Sequence, residues 1–424
     1  MLAEIKPFKG VRFTEKAGNI SDLVCPPYDI ISEEERKSFI QKNKYNIIRL
    51  ELPKEGDNVY KQAGDTLSDW LKNGIMERED KESFYIYEED FFVDNVPYTL
   101  KGIIARVKVT DFSQKVVIPH ENTLSAAKDD RFHLMCATGC NFSNIYCLFD
   151  DDKNKITDEI EKSSASEPIY NFSDSEGVTH KLWITNNTEK ITEYFKNKTL
   201  FIADGHHRYE TGIKFRDYMR AKLGKDNLAS DYIMMMLVPM QCDGLVVFPT
   251  HRIVHSIENF NGDALIESCK ENFTISKKTD KKSLEKHMKE EYNNGRISFG
   301  LYCNKNFYAI SPKENLNLDS FMPQAGDSLK KLDVSVLHSM ILERILKIDK
   351  ENMAKQLNLS YTRSFDDAVK KVDSGCNCAF FLNPTRVSQI ADVGLSGEKM
   401  PQKSTYFYPK LITGLVINKF FWEE

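Results

Sequence analysis

Alternating apolar and polar positions predict that strands and helices follow one another along this chain. Residues 46–52 alternate in the manner of a half-buried strand, and residues 59–73 place their apolar side chains on one face of an amphipathic helix. Residues 84–109 form two such runs around Asp94 and Asn95, so they predict a β-hairpin that turns at this pair.

The remaining strong patterns continue this order towards the C-terminal part of the chain. An apolar run at residues 232–239, rich in methionine, predicts a buried strand whose methionines fill the core. The mixed order of strands and helices predicts an α+β (mixed α/β) fold. The other predicted elements are a strand at 144–149 and helices at 123–138, 281–292 and 333–346.

One segment joins a predicted strand to a predicted helix through charged and imidazole side chains. Residues 200–203 are apolar, and the helical pattern begins at Arg208. Between them Gly205 permits a sharp turn, and a helix that starts there presents N–H groups at the positive end of its dipole. Asp204 could serve only as a helix cap, but the sequence Asp-Gly-His-His-Arg at residues 204–208 favours a phosphate site.

Composition narrows the class of protein. A chain of 424 residues suggests two or three domains, and a net charge of −5 argues against a surface that coats nucleic acid. No apolar run is long enough to span a membrane, and the first residues lack a signal sequence, so we expect a cytoplasmic protein without a membrane partner. The nine scattered cysteines are expected to be buried, reduced thiols.

Two further segments place acids beside predicted helices. His120, Glu121 and Asn122 precede the helix at 123–138. The carboxylate and amide oxygens of Glu121 and Asn122 suit a Mg²⁺–phosphate complex, whereas Thr123 could simply cap that helix. Asp29 follows a rigid Cys-Pro-Pro-Tyr turn and is either a cap for a helix at 32–41 or a positioned acid.

Two segments in the second half of the chain carry basic groups. His251 and Arg252 form a second His-Arg pair between two strands, where an exposed strand end is the alternative interpretation. Lys403, Ser404 and Thr405 supply a cation and two hydroxyls in an extended stretch, but the glycines of a P-loop are missing.

These motifs together resemble a bacterial family long catalogued as uncharacterised, whose members look like pyrophosphate-dependent serine kinases. The signature of that family is similar to Asp-Gly-His-His-Arg-Tyr-Glu-Thr at residues 204–211. The resemblance runs along the whole chain in the same order of motifs. The other matching segments are residues 25–29, 46–50, 119–123, 250–252 and 400–407.

The Gly-His-His-Arg core is also similar to the ParB/sulfiredoxin superfamily, in which the corresponding turn holds phosphate. That group includes ADP-dependent free-serine kinases, sulfiredoxins and CTP-binding segregation proteins. The resemblance implies a ParB/sulfiredoxin-like catalytic core with an N-terminal α/β part in residues 1–256. A more charged composition follows and predicts an additional α+β lobe at 257–350, and residues 351–424 are expected to return to the active site.

The resemblance implies that pyrophosphate and L-serine give O-phospho-L-serine and phosphate, with Mg²⁺ as cofactor, in amino-acid metabolism towards cysteine biosynthesis. It assigns phosphate binding to residues 204–208 and 403–405, and metal binding to Glu121 and Asp204. The catalytic candidates it implies are Asp29, His120, Glu121 and His207, and Glu51 is a further candidate base. The implied substrate-binding residues are Arg49, Glu51, Asn122, Thr123, His251 and Arg252, in one pocket with the phosphate site.

Two alternatives stay open from the residues alone. The donor could be ADP or ATP instead of pyrophosphate, because nucleotide kinases of the superfamily also lack Gly-rich loops. The protein could instead be a CTP-binding switch associated with DNA, although no helix-turn-helix or basic stripe is evident and we expect no nucleic-acid partner. A monomer or a homodimer is expected.

Overall fold

The structure is a computed structural model that describes residues 3–121 and 125–421. The chain divides into two compact units. Unit 1 comprises the described residues among 1–119, 123–246 and 409–424, and unit 2 comprises those among 120–122 and 247–408.

Unit 1 contains a mixture of strands and helices as far as residue 239. Its strands are β1 (Ile5–Lys6), β2 (Val11–Phe13), β3 (Met76–Arg78), β4 (Phe84–Val93), β5 (Val96–Lys108), β6 (Val117–Ile118), β7 (Cys140–Asn141), β8 (Ile145–Phe149), β9 (Tyr170–Ser173), β10 (Thr179–Thr185), β11 (Leu200–Asp204) and β12 (Tyr232–Pro239). Its α-helices are α1 (Glu33–Lys42), α2 (Ile48–Glu51), α3 (Val59–Lys72), α4 (Ser125–Thr138), α5 (Lys155–Ser163), α6 (Thr188–Phe195) and α7 (His206–Leu223). Short 3-10 helices lie at Glu15–Ala17, Ile20–Asp22, Tyr28–Ile30, Phe112–Gln114 and Ala229–Asp231.

A mixed sheet forms the centre of unit 1. Its strands lie in the order β6-β11-β8-β12-β5-β4-β10-β9, and β1 also pairs with β5. β11 is parallel to β6, β12 is parallel to β8, and the other neighbours are antiparallel. One face of the sheet packs into a core that includes Phe84, Ile103, Leu237 and Tyr209 of α7. Strand β11 and the helix that follows it are therefore fixed by buried apolar contacts.

Several predicted elements of unit 1 are confirmed. The helix predicted at 59–73 is α3, and the strands predicted at 144–149 and 232–239 are β8 and β12. The predicted hairpin is β4 and β5, and Asp94 and Asn95 turn it with φ of 51° and 63°. Left-handed values at both central residues are those of the hairpin turn that suits twisted strands.

Residues 46–52 form the short helix α2, so the predicted strand is wrong. The Oδ1 atom of Asn46 accepts the Ile48 N–H at 2.9 Å, and its Nδ2 donates to main-chain carbonyls of the 22–24 loop. These bonds hold a turn where a strand would need an extended chain. Ile47 and Glu51 are buried as well as Ile48 and Leu50, so the alternation of residue types is not an alternation of exposure.

Unit 2 contains a second set of elements, and the chain then returns to unit 1 with β21 (Asn418–Lys419). Its strands are β13 (Val246–Phe248, which begins at the unit boundary), β14 (His251–Val254), β15 (Phe273–Lys278), β16 (Phe299–Cys303), β17 (Asn306–Pro312), β18 (Leu359–Thr362), β19 (Cys378–Phe381) and β20 (Tyr406–Tyr408). Its α-helices are α8 (Gly262–Cys269), α9 (Lys281–Asn293), α10 (Asp327–Lys330), α11 (Asp333–Val336), α12 (Lys350–Lys355), α13 (Phe365–Asp373) and α14 (Val387–Ser396). A 3-10 helix lies at Leu318–Ser320 and a π-helix at Leu337–Glu343.

An antiparallel sheet in the order β15-β17-β16-β19-β14-β18 forms the centre of unit 2. Because β14 pairs with both β18 and β19, residues 359–381 belong to the same sheet as residues 251–254. This pairing explains why unit 2 runs from 247 to 408, whereas the predicted lobe covers only 257–350. Helix α9 matches the helix predicted at 281–292.

The described structure confirms the α+β class, with a mixed sheet in one unit and an antiparallel sheet in the other. The ParB/sulfiredoxin-like core stays a prediction. Among the described residues, no helix combines the length and apolar character needed to cross a membrane.

A buried ionic network lies on β4 and β10 of the unit 1 sheet. The Tyr87 hydroxyl donates to Glu89 at 2.7 Å and lies 2.8 Å from Nδ1 of His180, whose Nε2 lies 3.1 Å from Asp174. His180 and Glu89 are 1% and 0% exposed. Burial alone would lower the pKa of His180, but hydrogen bonds to Asp174 and Glu89 raise it to about 9. The imidazolium is therefore the form that the fold holds.

This network predicts a stability that depends on pH. The folded-state pKa of about 9 lies above the ordinary value of 6.5, so the stabilisation is complete below about pH 6.5 and is lost as the pH rises through about 9. We expect the free energy of unfolding, measured with urea, to fall by a few kcal/mol over this range. The fall should be much smaller in His180→Gln.

The exposed His133 on α4 provides the matched control, because His133→Gln removes an imidazole outside this network. That variant should keep the pH dependence of the native protein. An unchanged pH dependence in His180→Gln would contradict the assignment of the charge to His180.

Candidate functional site

The strand, turn and helix predicted around residues 199–217 are present as β11, Gly205 and α7. Leu200 to Ala203 are buried, and β11 continues to Asp204. The helix begins at His206, two residues before the predicted start, so both histidines lie in its first turn.

Gly205 is required at the start of α7 by both its backbone and its surroundings. Its φ of 93° and ψ of 27° are left-handed, which disfavours residues with a side chain. A Cβ atom at this position would lie only 2.9 Å from Nε of Arg208. Because glycine offers no side-chain acceptor, the first turn of α7 has no side-chain cap from its N-cap residue. Such a helix start favours an anion.

Asp204 holds two cations at this helix start. Its Oδ2 accepts a hydrogen bond of 2.7 Å from Nη2 of Arg208, and its Oδ1 accepts one of 2.6 Å from Nζ of Lys410. Arg208 lies one helical turn away, whereas Lys410 comes from the C-terminal segment of unit 1. The two cations are therefore fixed on one carboxylate.

The charges around Asp204 decide its ionisation. Burial alone would raise the pKa of this carboxyl, but Lys410, Arg208 and His206 hold it well below its usual range. Asp204 therefore stays ionised at neutral pH and keeps its two cations charged. The result is a compact arrangement of two basic side chains, with His206 and His207 in the same helix turn.

A main-chain carbonyl also holds the Arg208 guanidinium in place. Its Nη1 donates to the main-chain carbonyl of Asn144, and the side chain is nearly buried. A cavity of about 30 Å³ lies on this side, lined in part by Glu51, Arg131 and Ser143. This space holds roughly two water molecules. This cavity beside Arg208 is therefore too small for pyrophosphate.

Glu51 is an internal partner of Arg131. It is 2% exposed, its Oε1 accepts a hydrogen bond of 2.8 Å from Ser143, and it lies 3.6 Å from Nη1 of Arg131. Burial raises the pKa of Glu51, whereas Arg131 and Arg208 lower it. This acid is enclosed by protein, which does not suit the substrate-binding or base role that the sequence suggested.

Tyr28 and Asp29 extend this cluster. The Arg131 guanidinium lies 4.1 Å from the centre of the Tyr28 ring, and burial raises the pKa of Tyr28 to about 12. Asp29 is exposed in the 3-10 helix after the Pro-Pro turn, and its charge also acts on Tyr28. Helix α1 is capped by Ser32, so Asp29 is not its cap.

Arg49 lies on α2 with its side chain half-buried. Its Nε atom is shielded from solvent and makes no hydrogen bond to any part of the chain that the structure describes. A buried donor without a partner is costly, so an acceptor from a ligand would stabilise it. Its predicted role in binding the serine carboxylate stays a prediction.

The other predicted site residues lie in unit 2, where two segments meet. The His120 carbonyl accepts the Met400 N–H at 2.8 Å, and His120 Nε2 lies 3.0 Å from the Thr405 hydroxyl. The Ser404 N–H approaches Oε1 of Glu121 at 3.4 Å. These contacts bring His120 and Glu121 together with the predicted phosphate clamp.

Lys403 extends from this clamp into solvent. It is exposed and has a φ of 57°, a left-handed backbone conformation that is unusual for lysine. Strained backbone of this kind is enriched at ligand sites. Its predicted phosphate contact stays a prediction.

Arg252 and His251 are buried inside unit 2, where the sequence suggested substrate binding. Arg252 is 0% exposed and donates to the carbonyls of Gln402 and Lys403 at 3.3 and 3.0 Å, so it positions the clamp. His251 packs edge-on against Phe365 and Phe381, and burial lowers its pKa to about 4. It is therefore neutral at neutral pH. Its predicted role in substrate binding stays a prediction.

The predicted magnesium ligands do not form a metal centre on their own. Residues 3–121 and 125–421 contain no group of three or more His, Cys, Asp or Glu side chains placed to hold a metal ion. Both carboxylate oxygens of Asp204 already contact cations, so its donor set does not fit a metal. Asn122 and Thr123, the other predicted ligand-binding residues nearby, lie outside the described residues.

Sequence reasoning missed Lys410, Asn144 and Arg131. Lys410 is separated from Asp204 by 206 positions, so no local pattern connects them. Its position three residues after the matching segment at 400–407 is the one signal that could have indicated it.

Gly205→Ala is expected to disrupt the cation pair. The new Cβ would strain the left-handed backbone by about 1 kcal/mol and would displace the Arg208 side chain. We expect a lower free energy of unfolding and at least a tenfold weaker binding of pyrophosphate, by calorimetry, on the order of 1.4 kcal/mol.

Gly224, at the other end of α7, is the matched control. Its φ is 64°, and a Cβ there would meet nothing within 4 Å. Gly224→Ala should lose similar stability but keep its affinity for pyrophosphate. Equal affinity in both variants would contradict the role of Gly205 beside Arg208.

Comparison with solved structures gives several partial matches of low identity. A free serine kinase variant in complex with ADP is 14% identical, with 72% of this chain and 87% of that chain covered and a TM-score of 0.36. A conserved hypothetical protein from Pyrococcus furiosus is 15% identical, with 72% and 90% covered and a TM-score of 0.34. SbnI from Staphylococcus aureus, with a C-terminal truncation, is 10% identical, with 73% and 84% covered and a TM-score of 0.34.

Among curated proteins, none matches this chain. One family model, described as "Protein of unknown function (DUF1015)", matches residues 5–335. The match extends over more than half of the chain and includes the helix start at Gly205, so this protein belongs to the DUF1015 family.

Proposed function

We propose that this protein transfers a phosphoryl group from pyrophosphate to the hydroxyl of free L-serine. The products are O-phospho-L-serine and phosphate. The observation that carries the proposal is the pair of cations, Arg208 and Lys410, fixed on Asp204 at an uncapped, glycine-initiated helix start. The resemblance of residues 204–211 to pyrophosphate-dependent serine kinases supports the choice of donor and acceptor.

The cation pair supports an oligophosphate donor. Phosphoryl transfer requires that the negative charge of the donor and of the leaving phosphate be neutralised. Arg208 offers a planar fork of donors and Lys410 a compact charge, and Asp204 keeps both in place before the ligand arrives. Because the cavity behind Arg208 has a volume of only about 30 Å³, we place the phosphates at the start of α7.

The clamp of unit 2 offers a candidate for the general base. Glu121 is partly exposed, and a main-chain N–H orients its carboxylate, so it suits a general base. The Thr405 hydroxyl beside His120 and the exposed Lys403 offer groups for a polar amino acid or its phosphate ester. Asp29 in unit 1 is the alternative base.

The proposed step balances as an in-line displacement. A carboxylate base accepts the proton of the serine hydroxyl while the serine oxygen attacks one phosphorus of pyrophosphate. The bond from that phosphorus to the bridging oxygen breaks, and the oxygen leaves with the second phosphate. Arg208 and Lys410 stabilise the charge on the phosphate that departs.

Magnesium enters this proposal only as a companion of the substrate. Pyrophosphate would carry the ion, since Mg²⁺ binds phosphates and retains much of its water. The Asp204 carboxylate does not fit as its ligand, because both oxygens contact cations. No step is assigned to the metal.

An assay of donors against acceptors tests the proposed reaction. Pyrophosphate, ADP and ATP are each offered with serine, threonine, homoserine and inositol, and the phosphorylated products are measured. We expect phosphoserine from pyrophosphate and serine. Lys410→Met should lower kcat/KM for pyrophosphate by about a hundredfold, because it removes a charge-assisted contact on the order of 2–3 kcal/mol.

Lys419 lies in the same C-terminal segment and provides the matched control, because its Nζ donates to the main-chain carbonyl of Thr138 at 3.4 Å, away from Asp204. Lys419→Met should retain native kinetics. Phosphoserine formed only with ATP would overturn the choice of donor. Full activity in Lys410→Met would overturn the role of the cation pair.

Glu121→Gln tests the general base. The amide keeps the size of the side chain but does not accept the hydroxyl proton, so kcat should fall by about 10²–10⁴. The KM for serine should change little, because the substrate contacts remain.

Two further variants complete this experiment. Glu314→Gln changes an exposed acid elsewhere in unit 2 and should have native kinetics. Asp29→Asn should retain most of kcat. A collapse of kcat in Asp29→Asn, with an active Glu121→Gln enzyme, would move the base to Asp29.

A further inference from the structure

Unit 2 contains a cleft that the proposed reaction does not use. Its volume is about 410 Å³, within the range of about 300–1,000 Å³ that is typical of small-molecule sites. The 3-10 helix region, the π-helix, α12 and the segment before Lys403 surround it. Its apolar walls include Phe321, Met322, Met353 and Met400.

Two hydroxyls without partners lie at the base of this cleft. The Ser335 side chain is 3% exposed, and its Oγ makes no hydrogen bond to the described residues. The Tyr361 hydroxyl is likewise shielded from solvent and has no hydrogen-bond partner within the described part of the chain. Both side chains line the cleft, so a ligand with acceptor oxygens would satisfy them.

His338 contributes a donor in a fixed tautomer. It lies in the π-helix, a geometry often found at functional sites, and it lines the same cleft. Its Nε2 is 3.2 Å from Nε of Arg252, which is always a donor, so Nε2 accepts and the proton resides on Nδ1. Burial, followed by the charge of Arg252, lowers the pKa of His338 well below its ordinary value, so the ring stays neutral.

Arg252 gives the base of the cleft a positive potential. Within the described chain, its hydrogen bonds go to neutral acceptors: the carbonyls of Thr250, Gln402 and Lys403, and the His338 ring. The guanidinium also lies 5.4 Å from the centre of the Tyr361 ring. The charge of Glu121 acts on both Arg252 and Tyr361 and offsets part of this potential. The remaining attraction favours an anion that accepts from His338 and Tyr361.

The charged residues that line the cleft also favour an anion. Lys350 and Lys399 line it, and Glu343 is the acid among its lining residues. Burial raises the pKa of Glu343, although Lys350 lowers it in part. The raised pKa weakens the repulsion between Glu343 and an anion. The cleft therefore combines apolar walls, donors at its base and an excess of cations.

We propose that this cleft binds a small carboxylate with an apolar body. The carboxylate accepts hydrogen bonds from Tyr361, Ser335 and Nδ1 of His338, and the apolar body packs against the methionine and phenylalanine side chains. Because Met400 and Gln402 also line the cleft, its occupancy would order the segment that leads to Lys403. The inference does not depend on the proposed kinase activity.

Octanoate is the probe that tests this site. Acetate has the carboxylate without the apolar chain, and octanamide has the apolar chain without the charge. We expect saturable binding of octanoate to the full-length protein by calorimetry, at one site per chain. Both should bind about tenfold more weakly than octanoate or worse, because acetate buries little apolar area and octanamide carries no charge. Equal binding of octanoate and octanamide would overturn the carboxylate assignment.

Tyr361→Phe removes only a hydroxyl that makes no hydrogen bond to residues 3–121 and 125–421, so the fold should be retained. Octanoate affinity should fall by about five- to tenfold. Tyr308→Phe, on β17, is the matched control and should bind octanoate normally. Unchanged affinity in Tyr361→Phe would overturn the proposed contact.

Hydrogen exchange locates the bound probe. Octanoate should slow exchange in the π-helix and in residues 399–402, and leave β15 unchanged. Binding without protection in those two segments would overturn the proposed site.

Discussion

The start of helix α7 depends on one ionised carboxylate, Asp204, held between Arg208 and Lys410. Placing a charge in a partly buried position is unfavourable unless opposite charges compensate it. One compensating charge is local, four residues along the helix, and the other comes from the end of the chain. Loss of either cation would leave the Asp204 carboxylate only partly compensated. Removing one partner of a buried ion pair costs more stability than replacing both partners.

The distant cation is held by a separate set of contacts. The segment that follows Lys410 pairs with the N-terminal part of unit 1, where Thr413 and Cys25 exchange hydrogen bonds of 2.8 and 3.2 Å. Ile417 and Val11 exchange two more at 2.9 Å. Main-chain pairing therefore decides where Lys410 lies, so the geometry at Asp204 depends on residues from both ends of the chain.

The sequence correctly predicted helices and strands in which apolar side chains are buried and polar ones are exposed. It did not reveal contacts between residues that are far apart in the chain. Amphipathic spacing correctly indicated α3 and the β4–β5 hairpin, since each element buries one face. It misassigned residues 46–52, because Asn46 fixes a turn and apolar side chains are buried all round. The turn at Gly205 could be predicted because glycine and its flanking charges are adjacent, whereas Lys410 could not.

Residue type also does not reveal whether a basic group faces a ligand or the protein. Arg252 and Arg208 each follow a histidine and a strand, yet Arg252 is fully buried and its hydrogen bonds go to neutral acceptors. Burial lowers the pKa of Arg252 to about 10, which still leaves it charged at neutral pH. This charge attracts nearby anions, and Glu121 is one whose charge acts on the Arg252 guanidinium. The Arg252 guanidinium donates to the carbonyls of Gln402 and Lys403 and also attracts Glu121. This buried charge therefore helps to hold the segments at 120–121 and 402–405 together in unit 2.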